Sequence, residues 1–263
     1  MLERKSNKRF VPVKQPIVSS EKGIFHSDEI KSLELKKIKV PQIGCGDYGI
    51  VYSGKVVFKN GSKQRIAIKK FHQKLSDDAA KRYQDVIDDL RTINMEYDKA
   101  FPKRQLGKAK LFPKAAMIKT NIFGESEWVM VSQLFYSNNY QKVSINGSFD
   151  INSYKNFIKN SNKKEYCWIF SKLIEKGYYY APDLLVAIKN GLLPIDLDFL
   201  GRVGKELNLP FDKKATLILN SVGWVTGGSK ESGDTIELLI PLLKEKKLKS
   251  ELIKQAKEKK IIK

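Results

Sequence analysis

The sequence is poor in the residues that build cross-links and metal sites. Its 263 residues include two cysteines, Cys45 and Cys167, and two histidines, His26 and His72. Two cysteines cannot form a disulfide framework, and these scattered side chains lack the spacing of zinc ligands. The sequence therefore predicts no structural zinc, and its cysteine usage suits a reducing compartment.

Long apolar runs are also missing. No stretch approaches the roughly 18 apolar residues of a membrane-spanning helix. Residues 1–22 are polar and basic and lack the apolar region of a secretory signal peptide. We therefore expect no transmembrane segment and a cytoplasmic location, with delivery into a host cell left open because such a signal need not show in composition.

Acidic side chains are outnumbered, since 49 Lys and Arg stand against 29 Asp and Glu and give a net charge of +20. This charge favours anionic partners such as nucleotides, acidic proteins, membrane surfaces or nucleic acid, and does not choose among them. A lysine-rich composition can equally reflect genomic bias. Hydrophobic residues at 41% and aromatics at 10% indicate a globular chain.

The pattern after the first 32 residues changes from strands to helices along the chain. Val40–Gly44, Ile50–Lys59 and Arg65–Phe71 are strand-like, with a hairpin signal at Asn60-Gly61. Residues 79–101 have helical spacing after Ser76, 102–116 are typical of a loop, and Trp128–Leu134 is another strand. We predict a helix over Tyr166–Lys176 ending at Gly177, and a hairpin of Leu184–Ile188 with Leu192–Ile195 around Asn190-Gly191.

A glycine-rich segment, Gly44-Cys45-Gly46-Asp47-Tyr48-Gly49-Ile50-Val51, matches Gly-x-Gly-x-x-Gly-x-Val. Glycines of this kind let backbone approach phosphates closely. A dinucleotide-binding fingerprint would continue into a helix, whereas this segment continues into a strand and a hairpin. In this context it resembles the glycine loop of the protein kinase superfamily.

The resemblance extends to Ala67-Ile68-Lys69, where Lys69 follows Gly49 by 69 − 49 = 20 residues. It implies that Lys69 binds the α- and β-phosphates of ATP and pairs with a helix glutamate, for which Glu96 is the best candidate. Gly44, Gly46, Gly49, Val51 and Ala67 would complete the nucleotide site. Asp88 and Asp89 stand nearer the usual position of that glutamate. A turn-rich hairpin with a solvated lysine is the structural alternative.

The second half resembles the family in two aspartate-containing segments. Pro182-Asp183-Leu184 resembles the end of a kinase catalytic loop, and Pro194-Ile195-Asp196-Leu197-Asp198-Phe199 resembles the magnesium-binding segment. The resemblance implies Mg2+ ligands at Asp183, Asp196 and Asp198, with Asp183 as the catalytic base in an alternative alignment. Otherwise Asp183 caps a turn and the other two are surface charges. Asp234–Leu239 resembles the buried helix whose aspartate braces the catalytic loop.

The sequence departs from the family at Tyr178, which lies five residues before Asp183. The resemblance implies the catalytic aspartate at this position. A phenol with a pKa near 10 is a poor base at neutral pH. The resemblance covers about residues 38–240. Small bacterial effector kinases and some viral kinases have a similarly truncated C-lobe. The resemblance implies an α+β, bilobal protein-kinase-like fold with an antiparallel β-sheet N-lobe and a truncated, mostly helical C-lobe.

The predicted organisation has five parts: a flexible basic arm at 1–32, an N-lobe at 33–135, a hinge at 136–148, a C-lobe at 149–243 and a Lys-rich helix or tail at 244–263. We expect ATP and Mg2+ as cofactors and a protein substrate or partner. The chain then transfers phosphate to protein hydroxyls or is a pseudokinase that binds nucleotide or a partner. Nucleic-acid binding is a third, less favoured reading, because the solvated helix expected after Lys244 lacks interleaved aromatics.

Overall fold

The fold comes from a computed structural model that describes residues 10–12, 15–16, 30–35, 42–46, 48–101, 115–133, 140–141, 144–145, 148–149, 163–180, 185–188, 191–194, 198–226 and 229–263. The chain divides into two compact units. The first comprises Met1–Asp88 and Pro113–Tyr136, and the second comprises Asp89–Phe112 and Ser137–Lys263. The predicted bounds of the lobes stay predictions.

The first unit is built on an antiparallel sheet with strand order β1-β3-β5-β6-β8-β7-β2, and β4 also pairs with β5. Its strands are β1 Phe10–Pro12, β2 Gln15–Pro16, β3 Ile30–Leu35, β4 Gln42–Gly46, β5 Gly49–Phe58, β6 Lys63–Phe71, β7 Ala115–Thr120 and β8 Glu127–Gln133. Two short strands of the predicted N-terminal arm thus pair within this sheet, β1 with β3 and β2 with β7.

The predicted hairpin at Asn60-Gly61 is confirmed as the turn between β5 and β6. Gly61 has a φ of 81°, in the left-handed region where glycine is favoured. The Asn60 Oδ1 accepts a hydrogen bond from the Ser62 N–H at 2.9 Å. An asparagine side chain that bonds backbone two residues on is a standard way to stabilise a turn.

Alternate side chains of the sheet form its core on one face. Ile66 and Ile68 of β6 lie opposite Val131 and its neighbours on β8, and β8 pairs with β7. These side chains are buried because every second residue of a strand points to the same face. The buried cluster comprises Ile30, Leu33, Val56, Ile66, Ile68, Ala116, Ile118, Ile122, Val129 and Val131.

The prediction of a loop over 102–116 is wrong for its last two residues, because Ala115 and Ala116 begin β7. Both side chains are buried, as are Met117 and Ile118 after them. The isolated sequence gave no alternation of polar and apolar residues here. Strand β7 is fixed instead by pairing with β8 along its whole length.

Helix α1, Asp77–Ala100, follows β6 and confirms the predicted helix. Ser76 caps its start, since the Ser76 Oγ accepts a hydrogen bond from the Ala79 N–H at 3.1 Å. In the first unit its Tyr83 ring packs on Phe71, the last residue of β6, with centroids 5.0 Å apart. The division between the units falls inside this helix, after Asp88.

The second unit is mostly helical, which agrees with the predicted α+β class. Its helices are α2 Lys163–Glu175, α3 Asp198–Val203, α4 Phe211–Thr226, α5 Ser229–Leu239 and α6 Lys246–Glu258, with a short 3-10 turn at Ile240–Leu242. Its short strands are β9 Tyr140–Gln141, β10 Ser144–Ile145, β11 Ser148–Phe149, β12 Leu185–Ile188 and β13 Gly191–Pro194. β12 pairs with β13 as the predicted hairpin and also with β9, while β10 pairs with β11.

The end of α2 at Gly177 is confirmed by its backbone geometry. Gly177 has a φ of 93°, and the N–H of Tyr178 bonds the Leu173 carbonyl at 2.9 Å. This is the pattern by which a left-handed glycine satisfies the last carbonyls of a helix.

The C-terminal helix α6 confirms the amphipathic helix predicted here, but its apolar side is packed, so the expectation that the helix is solvated is wrong. Its Leu248, Leu252 and Ala256 side chains are at most 1% exposed. The Gln255 amide donates to the Asp212 carbonyl at 2.9 Å, which ties α6 to the start of α4. Because α4 was not predicted from the sequence, the surface that covers α6 was not predicted either.

No helix among the described residues is long and apolar enough to cross a membrane.

Candidate nucleotide site

The glycine segment forms the hairpin between β4 and β5, as predicted. Gly44 pairs with Val51 and Gly46 pairs with Gly49 across this hairpin. The chain therefore enters and leaves the turn as strands, which is the context that separates a kinase-type glycine loop from a dinucleotide-binding one. Of Gly44 and Gly46 only the strand placement is described.

Gly49 has a packing reason to be glycine that is independent of any ligand. A Cβ built at this position would lie 2.4 Å from the Lys70 carbonyl oxygen and 3.2 Å from the Phe71 Cα. Both are backbone atoms of β6, which faces Gly49 directly in the sheet. Only glycine lets β5 approach β6 this closely at the edge of the hairpin.

Val51, Ala67 and Lys69 lie together on one face of the sheet, opposite its buried core. Val51 is the direct cross-strand partner of Lys69, and Ala67 precedes Lys69 by two residues on β6. All three side chains are half-buried, as is Ser132, which faces Ala67 from β8. The next residue on this face of β8, Met130, is buried beside Lys69.

The Lys69 ammonium lies 6.0 Å from the centre of the Phe71 ring, at the outer limit of a cation–π contact. This face therefore presents the Lys69 ammonium beside small and apolar side chains and next to the β4–β5 glycine hairpin, and the cross-strand pair Lys55 and Arg65 adds positive charge farther along the same face. Such a surface can accept the apolar ring of a nucleotide base and, at Lys69, an anionic phosphate.

Glu96 lies on α1 in the second unit, and its carboxylate has a lysine partner there. The Lys172 ammonium of α2 is 2.8 Å from the Glu96 Oε2. This hydrogen bond holds the pKa of Glu96 below its usual value. The pairing of Glu96 with Lys69 expected from the kinase resemblance stays a prediction.

Tyr178, where the kinase resemblance expects the catalytic aspartate, is built into the core of the second unit. Its side chain is 1% exposed, and its hydroxyl donates a 2.9 Å hydrogen bond to the Asp89 Oδ2 on α1. A buried phenol that already donates its proton to a carboxylate cannot accept a proton from a substrate hydroxyl. Tyr178 is therefore a packing residue and does not replace the catalytic base.

Of the three predicted metal ligands, Asp183 and Asp196 lie outside the described residues, and Asp198 is described only as the first residue of α3. The hairpin between them is described, and Leu185 of β12 pairs with Pro194 of β13. In the sequence Asp183 precedes Leu185 by two residues and Asp196 follows Pro194 by two residues. Their joint role in binding magnesium stays a prediction.

The described residues hold no group of three or more His, Cys, Asp or Glu side chains that could bind a metal ion.

The predicted helix at Asp234–Leu239 is confirmed as part of α5, and Asp234 lies on its exposed side. The Asp234 side chain is 54% exposed and its Oδ2 lies 3.1 Å from the Lys163 ammonium at the start of α2. The neighbouring Thr235 and Ile236 are the buried residues of this turn. The sequence alone does not decide which side of this helix is buried. The packing of α2 against α5 decides it.

Comparison with known proteins finds no matching family model and no matching curated protein. Similar solved structures include a catalytic-domain mutant of myosin heavy chain kinase A, with 9% identity over 67% of this chain and 83% of that chain, at a TM-score of 0.39. An alpha kinase from Entamoeba histolytica has 11% identity over 72% of this chain and 74% of that one, at 0.39. The Neurospora crassa PAN3 pseudokinase has 11% identity over 89% of this chain and 67% of that chain, at a TM-score of 0.37.

These similar structures are kinases and a pseudokinase. Independently of them, the element order of this chain matches the predicted kinase-like α+β fold: a glycine hairpin, the Lys69 strand β6, helix α1, two further strands and a helical unit. Because the identities are 9–11% and the TM-scores are below 0.5, these structures do not indicate what this chain does. Its function is therefore inferred from its own residues.

Proposed function

We propose that the chain binds ATP on the half-buried face of its sheet, through the β4–β5 glycine hairpin and Lys69. The observation that carries this proposal is the register that sets Val51 directly opposite Lys69, two residues after the glycine hairpin ends. Val51 and Ala67 supply an apolar floor for the adenine, and the Lys69 ammonium supplies a charge for the phosphates.

The fit of ATP to this face rests on two structural features. Gly49 contributes no side chain where β5 approaches β6, so at this residue no Cβ keeps a phosphate away from the backbone N–H groups of the hairpin. The half-buried ammonium of Lys69 is the cation that lies directly opposite Val51 on this face. Mg2+, for which the resemblance implies Asp183 and Asp196 as ligands, would neutralise phosphate charge in Mg-ATP.

The direct test is nucleotide binding by the full chain. Mg-ATP should raise the melting temperature, since a ligand that binds only the folded state stabilises it by mass action. Lys69→Ala should weaken this effect, whereas Lys59→Ala, in the exposed turn after β5, should leave it unchanged. Unaltered ATP affinity in a folded Lys69→Ala protein would contradict the assignment of this lysine.

The phosphotransferase and pseudokinase forms of this function differ in the role of Asp183. We propose that Asp183 is a magnesium ligand in a degraded catalytic loop, because Tyr178 is buried and bonded to Asp89 and cannot act as base. General-base assistance is typically worth about 10²–10⁴-fold, so transfer to protein hydroxyls is then slow or absent.

Asp183→Asn separates the two forms, because asparagine is the residue that kinases carry at this position. If Asp183 is only a ligand, the substitution should change nucleotide binding and any γ-phosphate transfer mildly. If Asp183 is the base, transfer should be robust in the wild type and abolished in Asp183→Asn with ATP binding intact. The second result would identify an active kinase with a rearranged loop.

We place the protein in a reducing cytoplasm, in line with its cysteine usage.

A further inference from the structure

The exposed side of α6 carries a row of lysines along the helix axis. This lysine row consists of the exposed residues Lys246, Lys247, Lys254 and Lys257. With 3.6 residues per turn, the four positions lie within an arc of about 100° around the axis, opposite the buried Leu248, Leu252 and Ala256. The first and last lysines are 257 − 246 = 11 residues apart, so the row is about 16 Å long.

Carboxylates compensate little of the charge of the lysine row. Residues 246–263 carry eight lysines and two glutamates, a side-chain charge of 8 − 2 = +6. The Glu251 Oε1 accepts a 3.0 Å hydrogen bond from the Gln255 amide and lies 3.9 Å from the Lys254 ammonium. The Lys254 side chain is 63% exposed, and an ion pair this long on the surface contributes little.

The lysine row works against the stability of the helix that carries it. Lys246 precedes Lys249 by three residues, and Lys254 precedes Lys257 by three, and like charges at this spacing repel each other. The packing of the apolar side requires only polar residues on the other side of α6, which alternating Lys and Glu would supply without repulsion. An anionic partner along the row offsets this repulsion, so the arrangement favours a binding role.

Other features of α6 argue against two kinds of anionic partner. A helix that lies in a membrane surface buries its apolar face among lipids, but the apolar side of α6 is packed inside the second unit. Single-stranded nucleic acid is bound by stacking bases on aromatic side chains, and α6 contains none. A straight row of cations with neither feature complements a stiff, linear polyanion.

We propose that the lysine row binds the phosphate backbone of duplex nucleic acid, a function separate from the proposed ATP site. Phosphates along one strand of B-DNA are about 3.4 Å apart, so the row spans about five of them. The absence of aromatics, which made nucleic acid the less favoured alternative from the sequence, does not affect contacts to the backbone. Such binding is independent of base sequence and weakens steeply as salt rises.

The test measures binding of the full chain to a DNA duplex of about 20 base pairs and mixed sequence, by fluorescence anisotropy at about 50–200 mM KCl. The row variant replaces three lysines by glutamine: Lys246→Gln, Lys254→Gln and Lys257→Gln. The control variant has the same net charge and replaces three exposed lysines of the first unit: Lys31→Gln, Lys59→Gln and Lys81→Gln. Melting curves check that both variants are folded.

The row variant should bind the duplex with a lower affinity and a weaker dependence on salt. Each phosphate contact contributes about 0.9 to the slope of log K against log salt, so the loss of three contacts should reduce the slope by about 2.7. Its affinity at the lowest salt should fall at least about tenfold. The control variant should keep the wild-type slope and affinity.

Four outcomes would overturn the proposal. The wild type might fail to bind the duplex at about 50 mM salt, or the row variant might bind it like the wild type. Equal losses in the row and control variants would show that net charge alone drives binding. Stronger row-dependent binding to a single strand, or to phosphatidylserine vesicles, would identify a different partner. Mg-ATP binding by the row variant should equal that of the wild type, so this inference and the proposed function fail separately.

Discussion

Gly49→Ala is the substitution with the most direct structural consequence in the candidate site. The added Cβ would meet the Lys70 carbonyl oxygen at 2.4 Å, about 1 Å inside ordinary van der Waals contact. The atoms it meets are backbone, so no side chain can rotate away, and β5 must separate from β6 where Gly49 pairs with Phe71. We expect a loss of about 1–3 kcal/mol of unfolding free energy, the usual cost of overpacking.

A matched control is Gly223→Ala in α4. A Cβ at Gly223 meets nothing within 4 Å, and Gly223 lies in a helix interior, where alanine is favoured by about 0.5–1 kcal/mol. The same chemical change should therefore stabilise the protein at Gly223 and destabilise it at Gly49.

The assay is thermal unfolding of both variants without nucleotide, so that a loss of ligand does not enter the comparison. For a chain of this size about 1 kcal/mol corresponds to roughly 2–4 °C. Gly49→Ala should thus melt several degrees below the wild type and Gly223→Ala slightly above it. If Gly49→Ala melted at the wild-type temperature, the close approach of β5 and β6 would be refuted, and packing would give no reason for glycine at position 49.

Two further substitutions test the second unit. Leu252→Ala should lower the free energy of unfolding in urea by about 2–5 kcal/mol, because this side chain of α6 is fully buried. The exposed control Lys254→Ala should change it by no more than about 0.5 kcal/mol. Equally small effects of both substitutions would contradict the burial of α6. Glu206 has its pKa raised by burial, so its ionised form opposes folding above that pKa and the penalty disappears as the pH falls. Glu206→Gln should therefore melt above the wild type at pH 7 and converge with it near pH 4, and a gap that widens toward acid would contradict the burial of this carboxylate.

Local features of the sequence determined the parts of the fold that depend on backbone conformation. Gly61 and Gly177 adopt left-handed conformations that few other residues tolerate, and Ser76 caps the helix that follows it. These elements were predictable because each is decided by neighbours in the chain.

The candidate nucleotide face was predictable as a set of residues but not as a surface. The sequence named Val51, Ala67 and Lys69, and the strand register put them on one face. The sequence did not indicate that the Lys70 carbonyl leaves no room for a side chain at position 49. Lys70 is 21 residues away along the chain (70 − 49). Such a constraint exists only after β5 and β6 have paired.

Long-range packing decided the rest. The apolar side of α6 was visible as weak helical spacing, but its burial depends on α4, whose residues carried no clear sequence signal. The sequence indicates of Asp89 only that it stands, with Asp88, nearer the usual position of the kinase glutamate than Glu96 does. The bond of Asp89 to Tyr178 joins residues 89 positions apart (178 − 89), and a buried hydroxyl finds its acceptor only when two distant segments pack together.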